Sequence, residues 1–497
     1  MLQRILARYY PPGIILEILE DGKIVEKKLK LPKITPILDV PTLALKFVRN
    51  SPYFLPNQEQ KLRSTLKKIK EMQLIEFYQY NKIKTIKPHM MPLVFACFNK
   101  GGELLLTSSY DRTARIFDTN SGRLISTFTG HSNAIRKCCF NLPVGNLIAT
   151  ASFDRTARIW DAASGKSLSI LAGHTQEVID VIFSSDGVYL ATASLDGTAR
   201  LWDVERGALI RQLDEHTGPL VSAVFSPDSL SEENYFNESQ ILPKTPESED
   251  NQKTPENKDN QKNLENEEKS EINLTNLLSE DDSIEKPKVL NKYITNNSHE
   301  NLLLTAACDQ TARLWDMRSP DSVCVLRGHR SDLSAAIFSS NSQIIATASL
   351  DSTVRLWDIR QSIAKQVFKE HTGPVLSLAI TNDGDLIATG SADGTAKLWN
   401  SSGNVLFTAP HGSEVVRISF SPQESKILTG TDNGVVQLWN VETKQFSEAL
   451  SGHSDGLITA QFNYTSDMIL TASKDNTAMI WKATANKDKN VVNESMK

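Results

Sequence analysis

The chain has 497 residues, a formal net charge of −5, 40% hydrophobic residues and five cysteines. No apolar run approaches the roughly 20 residues that a membrane-spanning helix needs. The cysteines (Cys97, Cys138, Cys139, Cys308 and Cys324) lack metal-ligand spacing, and the acidic balance supplies no basic field for nucleic acid.

Residues 1–80 read as a small α+β domain with its own character. Ile14–Leu19 and Lys23–Leu31 flank Glu20-Asp21-Gly22, the composition of a β-hairpin. Leu62, Leu66, Ile69 and Met72 fall at helical spacing, which predicts an amphipathic helix within Gln58–Tyr80. Residues 1–85 carry a net charge of +8.

A repeat then fills 81–482. His89, His131, His174, His216, His329, His371, His411 and His453 follow one another at 42, 43, 42, 113, 42, 40 and 42 residues. All seven tryptophans keep the same beat, and Phe117 fills the one missing place. A period near 42 means one supersecondary unit copied eight times. Within a unit, four short strands alternate with turn residues: Val178–Phe183, Tyr189–Ser194, Thr198–Asp203 and Ala208–Leu213. The expected fold is all-β, an eight-bladed β-propeller. Past Trp481 only a polar tail follows (483–497, expected to be disordered), so blade eight lacks an outer strand. Asn81–Ile86 occupies the place of an outer strand ahead of His89 and is expected to close the ring.

The Gly-His opening and Trp-Asp close of each unit resemble the WD-repeat family. That resemblance implies a hydrogen-bonded His, Ser/Thr, Asp and Trp in each blade, with alternating donors and acceptors that satisfy one another when buried. Five blades hold the whole expected set: His131/Ser152/Asp154/Trp160, His174/Ser194/Asp196/Trp202, His329/Ser349/Asp351/Trp357, His371/Ser391/Asp393/Trp399 and His453/Ser473/Asp475/Trp481. Blade one has Phe117 for Trp, blade four has Ala307 for Ser, and blade seven has Asn433 in the Asp place. An unpaired buried group costs roughly 1–3 kcal/mol, which predicts blade four as the loosest. A Ser, His and Asp repeated around a ring read as scaffolding. No catalytic, cofactor or metal residue is expected, because no one set is singled out as a nucleophile with its base.

The interval of 113 places an insertion of 71 residues in blade four. Residues 229–299 have a net charge of −8 and few apolar side chains, so they are expected to be disordered.

Positions five after each His and one before each Asp should face one rim. There Tyr110, Arg136, Phe153, Ile179, Leu195, Val221, Leu350, Leu376, Val416 and Ile458 form a mostly apolar, candidate partner-binding ring. Arg8-Tyr9-Tyr10-Pro11-Pro12-Gly13-Ile14, then a hairpin, then eight repeats, resembles the dynein assembly factors among WD-repeat proteins. The resemblance implies a monomeric, non-enzymatic adaptor without cofactors. It would link preassembled outer-arm dynein to an intraflagellar transport subunit, in the cytoplasm and at the cilium or flagellum and its base, without binding nucleic acid or membrane. Trp315-Asp316-Met317-Arg318 and Trp357-Asp358-Ile359-Arg360 match a Trp-Asp-x-Arg pattern and leave open a substrate receptor of a cullin ubiquitin ligase. A generic WD-repeat scaffold is the remaining alternative.

Overall fold

A computed structural model of the chain describes residues 2–8, 13–20, 23–31, 40–50, 59–73, 78–141, 144–227, 302–319, 321–340, 342–359 and 363–485. The expected acidic insertion (229–299) and the tail from 486 onward lie outside the described residues.

The N-terminal segment is richer than its sequence suggested. The expected hairpin pairs β2 (Gly13–Glu20) with β3 (Lys23–Lys30), Glu20 opposite Lys23. A strand not anticipated, β1 (Leu2–Arg8), adds to the other edge of β2. A first helix, α1 (Val40–Asn50), was also not anticipated. It buries Leu43, Ala44 and Phe47, and Pro41 sits near its start, where a missing N–H costs nothing. The second helix, α2 (Glu59–Gln73), buries Leu62, Leu66 and Ile69 as their spacing requires, but it stops well short of Tyr80. Tyr78–Tyr80 belong instead to a strand, β4 (Tyr78–Ile86).

Eight four-stranded antiparallel sheets follow as eight blades. In seven, the strands lie in chain order; the eighth consists of Leu457–Phe462, Met468–Ser473, Ala478–Ala485 and β4. β4 is longer than the sequence implied because its partner runs on to Ala485, past the expected boundary at 482, and Tyr78 pairs there. Side chains lock the clasp. The Tyr80 hydroxyl donates to the Ser466 carbonyl at 2.7 Å, and the Asn81 amide donates to the Thr484 hydroxyl at 2.6 Å.

The core lies between blades. Trp160 of blade two packs on Leu106, Ile116 and Phe128 of blade one. Each later Trp packs on the blade before it in the same way: Trp202 on Ala157 and Ile159 of blade two, Trp399 on Val354 and Leu356 of blade five, and the others likewise. The series closes with Phe117 of blade one against Leu470 and Ile480 of blade eight. Covering one such side chain is worth about 1.5–3 kcal/mol, so an unclosed ring would forfeit a full inter-blade layer. Second strands such as Leu147–Ser152 are buried along nearly their whole length, because neighbouring blades cover both their faces.

Every inner strand carries a β-bulge. In blade two, Ile135 pairs with Ser152 and Lys137 with Ala151, so Arg136 is skipped by the ladder. Val94, Ile179, Val221, Ser334, Leu376, Val416 and Ile458 are skipped likewise. A bulged residue is released from the pleat and re-aimed. These are the residues five after each His.

Candidate functional site

The turns that carry the eight histidines and the turns between second and third strands share one end of the ring, here called the upper face. In blade two, His131 Nδ1 lies 2.7 Å from Asp154 Oδ2, and Nε2 lies 2.8 Å from the Thr150 hydroxyl. Trp160 donates its indole N–H to that same hydroxyl at 2.8 Å. The hydroxyl can accept from Trp160 and donate to a neutral imidazole, whose Nδ1–H then faces the carboxylate.

The hydroxyl that joins His to Trp is therefore a threonine, two residues before the expected serine. Ser152 instead donates to the carbonyls of Asn133 and Ala134 and accepts the Asp154 amide. Ser194, Ser349, Ser391 and Ser473 are turned to backbone carbonyls in the same way, each also accepting the amide of the Asp two residues on. The correction has a geometric reason. Trp160 stands opposite Ile148, so its indole reaches Thr150 diagonally, whereas Ser152 sits at the far end of the strand.

The tryptophans of the other expected sets are corrected with it. Trp202 does not bond to Ser194; it donates to the Thr192 hydroxyl at 3.0 Å, because it stands opposite Leu190. Trp399 does not bond to Ser391; it stands opposite Ile387 and donates to the Thr389 hydroxyl at 2.9 Å. Trp357 and Trp481 turn likewise to Thr347 at 2.9 Å and Thr471 at 3.0 Å, away from Ser349 and Ser473. Each of these threonines also meets the histidine of its own blade, His174, His371, His329 and His453 respectively.

The expectation for blade four is overturned for the same reason, since Thr305 takes the bridging role there. Ala307 removes only the backbone-binding serine. His216 reaches Asp309 at 2.7 Å and Thr305 at 2.8 Å, and Trp315 reaches Thr305 at 2.8 Å.

Electrostatics follow from burial against hydrogen bonding. Burial is the largest influence on Asp196 and pushes its carboxyl up. Hydrogen bonds from the Thr198 side chain, the Thr175 and Thr198 amides and His174 outweigh it and bring the carboxyl down to about 2. Burial also holds His89, His174, His329, His371 and His453 below the ordinary imidazole value, against the pull of their carboxylates. The residue after each Asp has positive φ. It is glycine at Gly197 (φ 80°) but arginine at Arg155 (φ 68°), where the Asp-centred bonds hold a conformation that an L residue disfavours.

Blade seven is the broken one. Asn433 Oδ1 accepts from the Thr431 hydroxyl at 2.5 Å and the Val435 amide at 3.3 Å, and its NH₂ cannot accept from an imidazole N–H. Among the described residues, neither ring nitrogen of His411 nor the Trp439 indole nitrogen has a partner. Thr429 turns its hydroxyl to the Gln437 carbonyl at 3.1 Å. Burial without a counter-charge pushes His411 down to about 4.

On the expected partner rim, Tyr110 (48% exposed), Leu350 (40%) and Arg136 face solvent. Phe153, Ile179, Leu195, Val221, Leu376 and Val416 are half-buried at the mouth. Ile458 departs from the expectation. It is buried because it joins the layer between blades eight and one. Sequence reasoning missed Met90 (91% exposed) and Met91, which precede the inner strand of blade one. The Tyr110 amide donates to the Pro92 carbonyl at 3.1 Å, which ties the two turns into one apolar sector. A His-Met-Met opening, where other blades have polar residues after His, was the available signal. A second apolar belt runs along the outer strands of blades one to three, through Leu124, Ile125, Leu168, Ile170, Leu209 and Ile210. No group of His, Cys, Asp and Glu suited to a metal ion occurs among the described residues.

The sequence profile of the family described as WD domain, G-beta repeat, matches residues 80–118, 122–161, 165–203, 320–358, 363–400, 403–440 and 444–482, more than half of the chain. Among curated relatives, "Dynein assembly factor with WD repeat domains 1" of Mus musculus is 32% identical over 146 residues, 29% of this chain and 35% of that protein. The Xenopus laevis protein of the same name is 34% identical over 149 residues, again 29% and 35%. The matched stretch thus spans about a third of the length of these relatives. "COMPASS component SWD3" of Saccharomyces cerevisiae is 39% identical over 56 residues, 11% of this chain and 18% of that one. Among solved structures, the computationally designed Ika8 protein superposes with a TM-score of 0.60 at 20% identity, covering 81% of this chain and 99% of its own, a likeness of fold.

Proposed function

We propose, for a chain that belongs to the WD domain, G-beta repeat family, the role of a non-enzymatic adaptor that links preassembled outer-arm dynein to intraflagellar transport for delivery into cilia. The observation that carries this reading is its similarity to proteins named dynein assembly factors, at 32–34% identity. The physical support is a rigid ring whose upper rim presents bulged, mostly apolar residues, a surface suited to holding other proteins. The chain works as a monomer in the cytoplasm and at the cilium and its base. Dynein arm and transport subunit occupy different surfaces, drawn from the N-terminal region and the upper rim.

The cullin-receptor alternative is not favoured. Arg318 is held by its neighbour, with Nε at 3.0 Å and Nη2 at 2.9 Å from the two Asp316 carboxylate oxygens. Arg360 lies outside the described residues.

The test is co-precipitation of the full chain from extract of cells that build motile cilia, probed for outer-arm dynein and intraflagellar transport subunits. Recovery of both supports the adaptor. Recovery of a cullin adaptor in their place, or of neither, overturns it.

A further inference from the structure

The inner strands of blades seven, eight, one and two stand side by side around the axis. This arc holds two guanidinium groups that no carboxylate pairs with among the described residues. Arg417, half-buried on Val415–Phe420, donates from Nε to the Ile458 carbonyl at 2.5 Å and from Nη1 to the Val416 carbonyl at 3.0 Å. Among the described residues its Nη2 has no acceptor and no carboxylate pairs with it. Arg136, the bulged residue of blade two, is exposed and has no ion-pair partner among the described residues.

The two groups feel each other. Burial lowers the Arg417 guanidinium, and the positive charge of Arg136 lowers it further. The third cation of the arc is already neutralised, since Lys137 Nζ lies 2.5 Å from the Asp180 carboxylate. Between the arginines, on the strand that Arg417 leans toward, Thr459 is 5% exposed and its hydroxyl has no hydrogen-bond partner. The bulged residues between them, Val94 and Ile458, are buried, and the apolar side chains that reach the rim beside Arg136 are Tyr110 and Phe153.

Uncompensated like charges beside an unmet hydroxyl, in a partly desolvated mouth, are an arrangement that an anion completes. Charge-assisted bonds to a guanidinium are the strong ones, and low-dielectric walls focus the field. We infer that the upper channel mouth from blade seven to blade two is an anion-binding site. It takes one acidic side chain of an extended segment of a partner protein, flanked by apolar residues. This rests on the reading of the upper rim as a partner surface and adds the chemistry recognised there. A carboxylate and a phosphorylated hydroxyl share that chemistry.

Three fluorescein-labelled peptides, Gly-Leu-X-Leu-Gly with X as Glu, phosphothreonine or Gln, titrated against the full chain at low salt, test the inference. The anionic peptides should bind at least ten-fold more tightly than the Gln peptide. Arg136→Gln should remove most of that difference without moving the melting temperature, because Arg136 is exposed and makes no bond that holds the ring. Arg417→Gln should do the same to binding, and Lys87→Gln on the exposed surface should change nothing. A phosphothreonine peptide ten-fold ahead of Glu assigns a phosphorylated partner; parity or the reverse assigns a carboxylate. Equal binding of all three peptides, no binding of any, or an Arg136→Gln chain that binds like the parent would overturn the site. The dynein co-precipitation reads the adaptor role separately, so the two can fail independently.

Discussion

Trp160 donates its indole N–H to the Thr150 hydroxyl at 2.8 Å, and Trp439 has no such bond to Thr429. One ring therefore contains both the completed tetrad and its natural deletion, which makes the energetics of each measurable in the same molecule.

Thr150→Val keeps the shape and removes the hydroxyl. It leaves the indole N–H and His131 Nε2 buried without partners, at about 1–3 kcal/mol for each such group. Urea denaturation of the variant should show a clearly lowered midpoint. Ser152→Ala should cost less, because one of the two carbonyls that Ser152 serves retains another donor: the Phe153 amide already bonds to the Ala134 carbonyl at 3.0 Å. The reverse order would return the bridging role to the serine.

In blade seven the sign changes. His411→Leu removes a buried group whose ring nitrogens have no hydrogen-bond partner, so it should be neutral or stabilising, whereas His131→Leu removes one hydrogen bond each from Asp154 and Thr150. The pair Asn433→Asp and Val435→Thr restores the residues found in blade six, Asp393 and Thr395, and should raise stability by about 1–2 kcal/mol. Denaturation midpoints decide both, and a destabilised double variant would contradict the account of why this blade is open.

Stability should also fall with acid below the ordinary imidazole value, and His411 contributes a defined part of that fall. Its imidazole titrates at about 4 in the folded chain, against 6.5 for an ordinary histidine. The unfolded chain thus takes up the proton first. The contribution is complete above pH 6.5 and is lost as pH falls toward 4. His411→Leu should make the stability profile less steep between these limits, and the lowered His89, His174, His329, His371 and His453 supply the slope that remains. The carboxylates Asp196 and Asp351, held down at about 2, act lower, and their contribution is lost as pH falls from about 3.8 to about 2. An unaltered profile in His411→Leu would remove His411 from this role.

The clasp depends on Tyr80, buried at 5% exposure with its hydroxyl on Ser466. Tyr80→Ala should cost roughly 3–5 kcal/mol, by analogy with large aromatic truncations in cores. Tyr80→Phe should cost about 1 kcal/mol. Compared with the parent chain, limited proteolysis of Tyr80→Ala should gain new cuts within blade eight. New cuts only in other blades would show that closure does not rest on this strand.

Met90→Asp with Tyr110→Asp places charge in the apolar sector of blade one without touching the inter-blade layers. The pair should leave the melting temperature nearly unchanged and weaken co-precipitation of the dynein arm or the transport subunit several-fold. Undiminished recovery of both would move the partner surface off this sector.

The period of the histidines and tryptophans determined the number of blades, their strand order and the need for a closing strand. Each unit has apolar faces that it cannot bury alone, so eight copies dictate a ring. The N-terminal helix and hairpin were legible for the same reason, apolar spacing. Strand β1 and helix α1 were not, since short apolar segments fit helix and strand equally well until a neighbour chooses. Thr150 and Ser152 lie on one strand face by period-two alternation, and both repeat through the chain. Only the diagonal reach from Trp160, repeated by Trp202 and Trp399 in their own blades, chose between them. The bulge that frees Arg136, the burial of Ile458, and the bond from Arg417 to the Ile458 carbonyl across blades depend on residues far apart in the chain. Local pattern cannot encode such distances; the packing of blade on blade sets them.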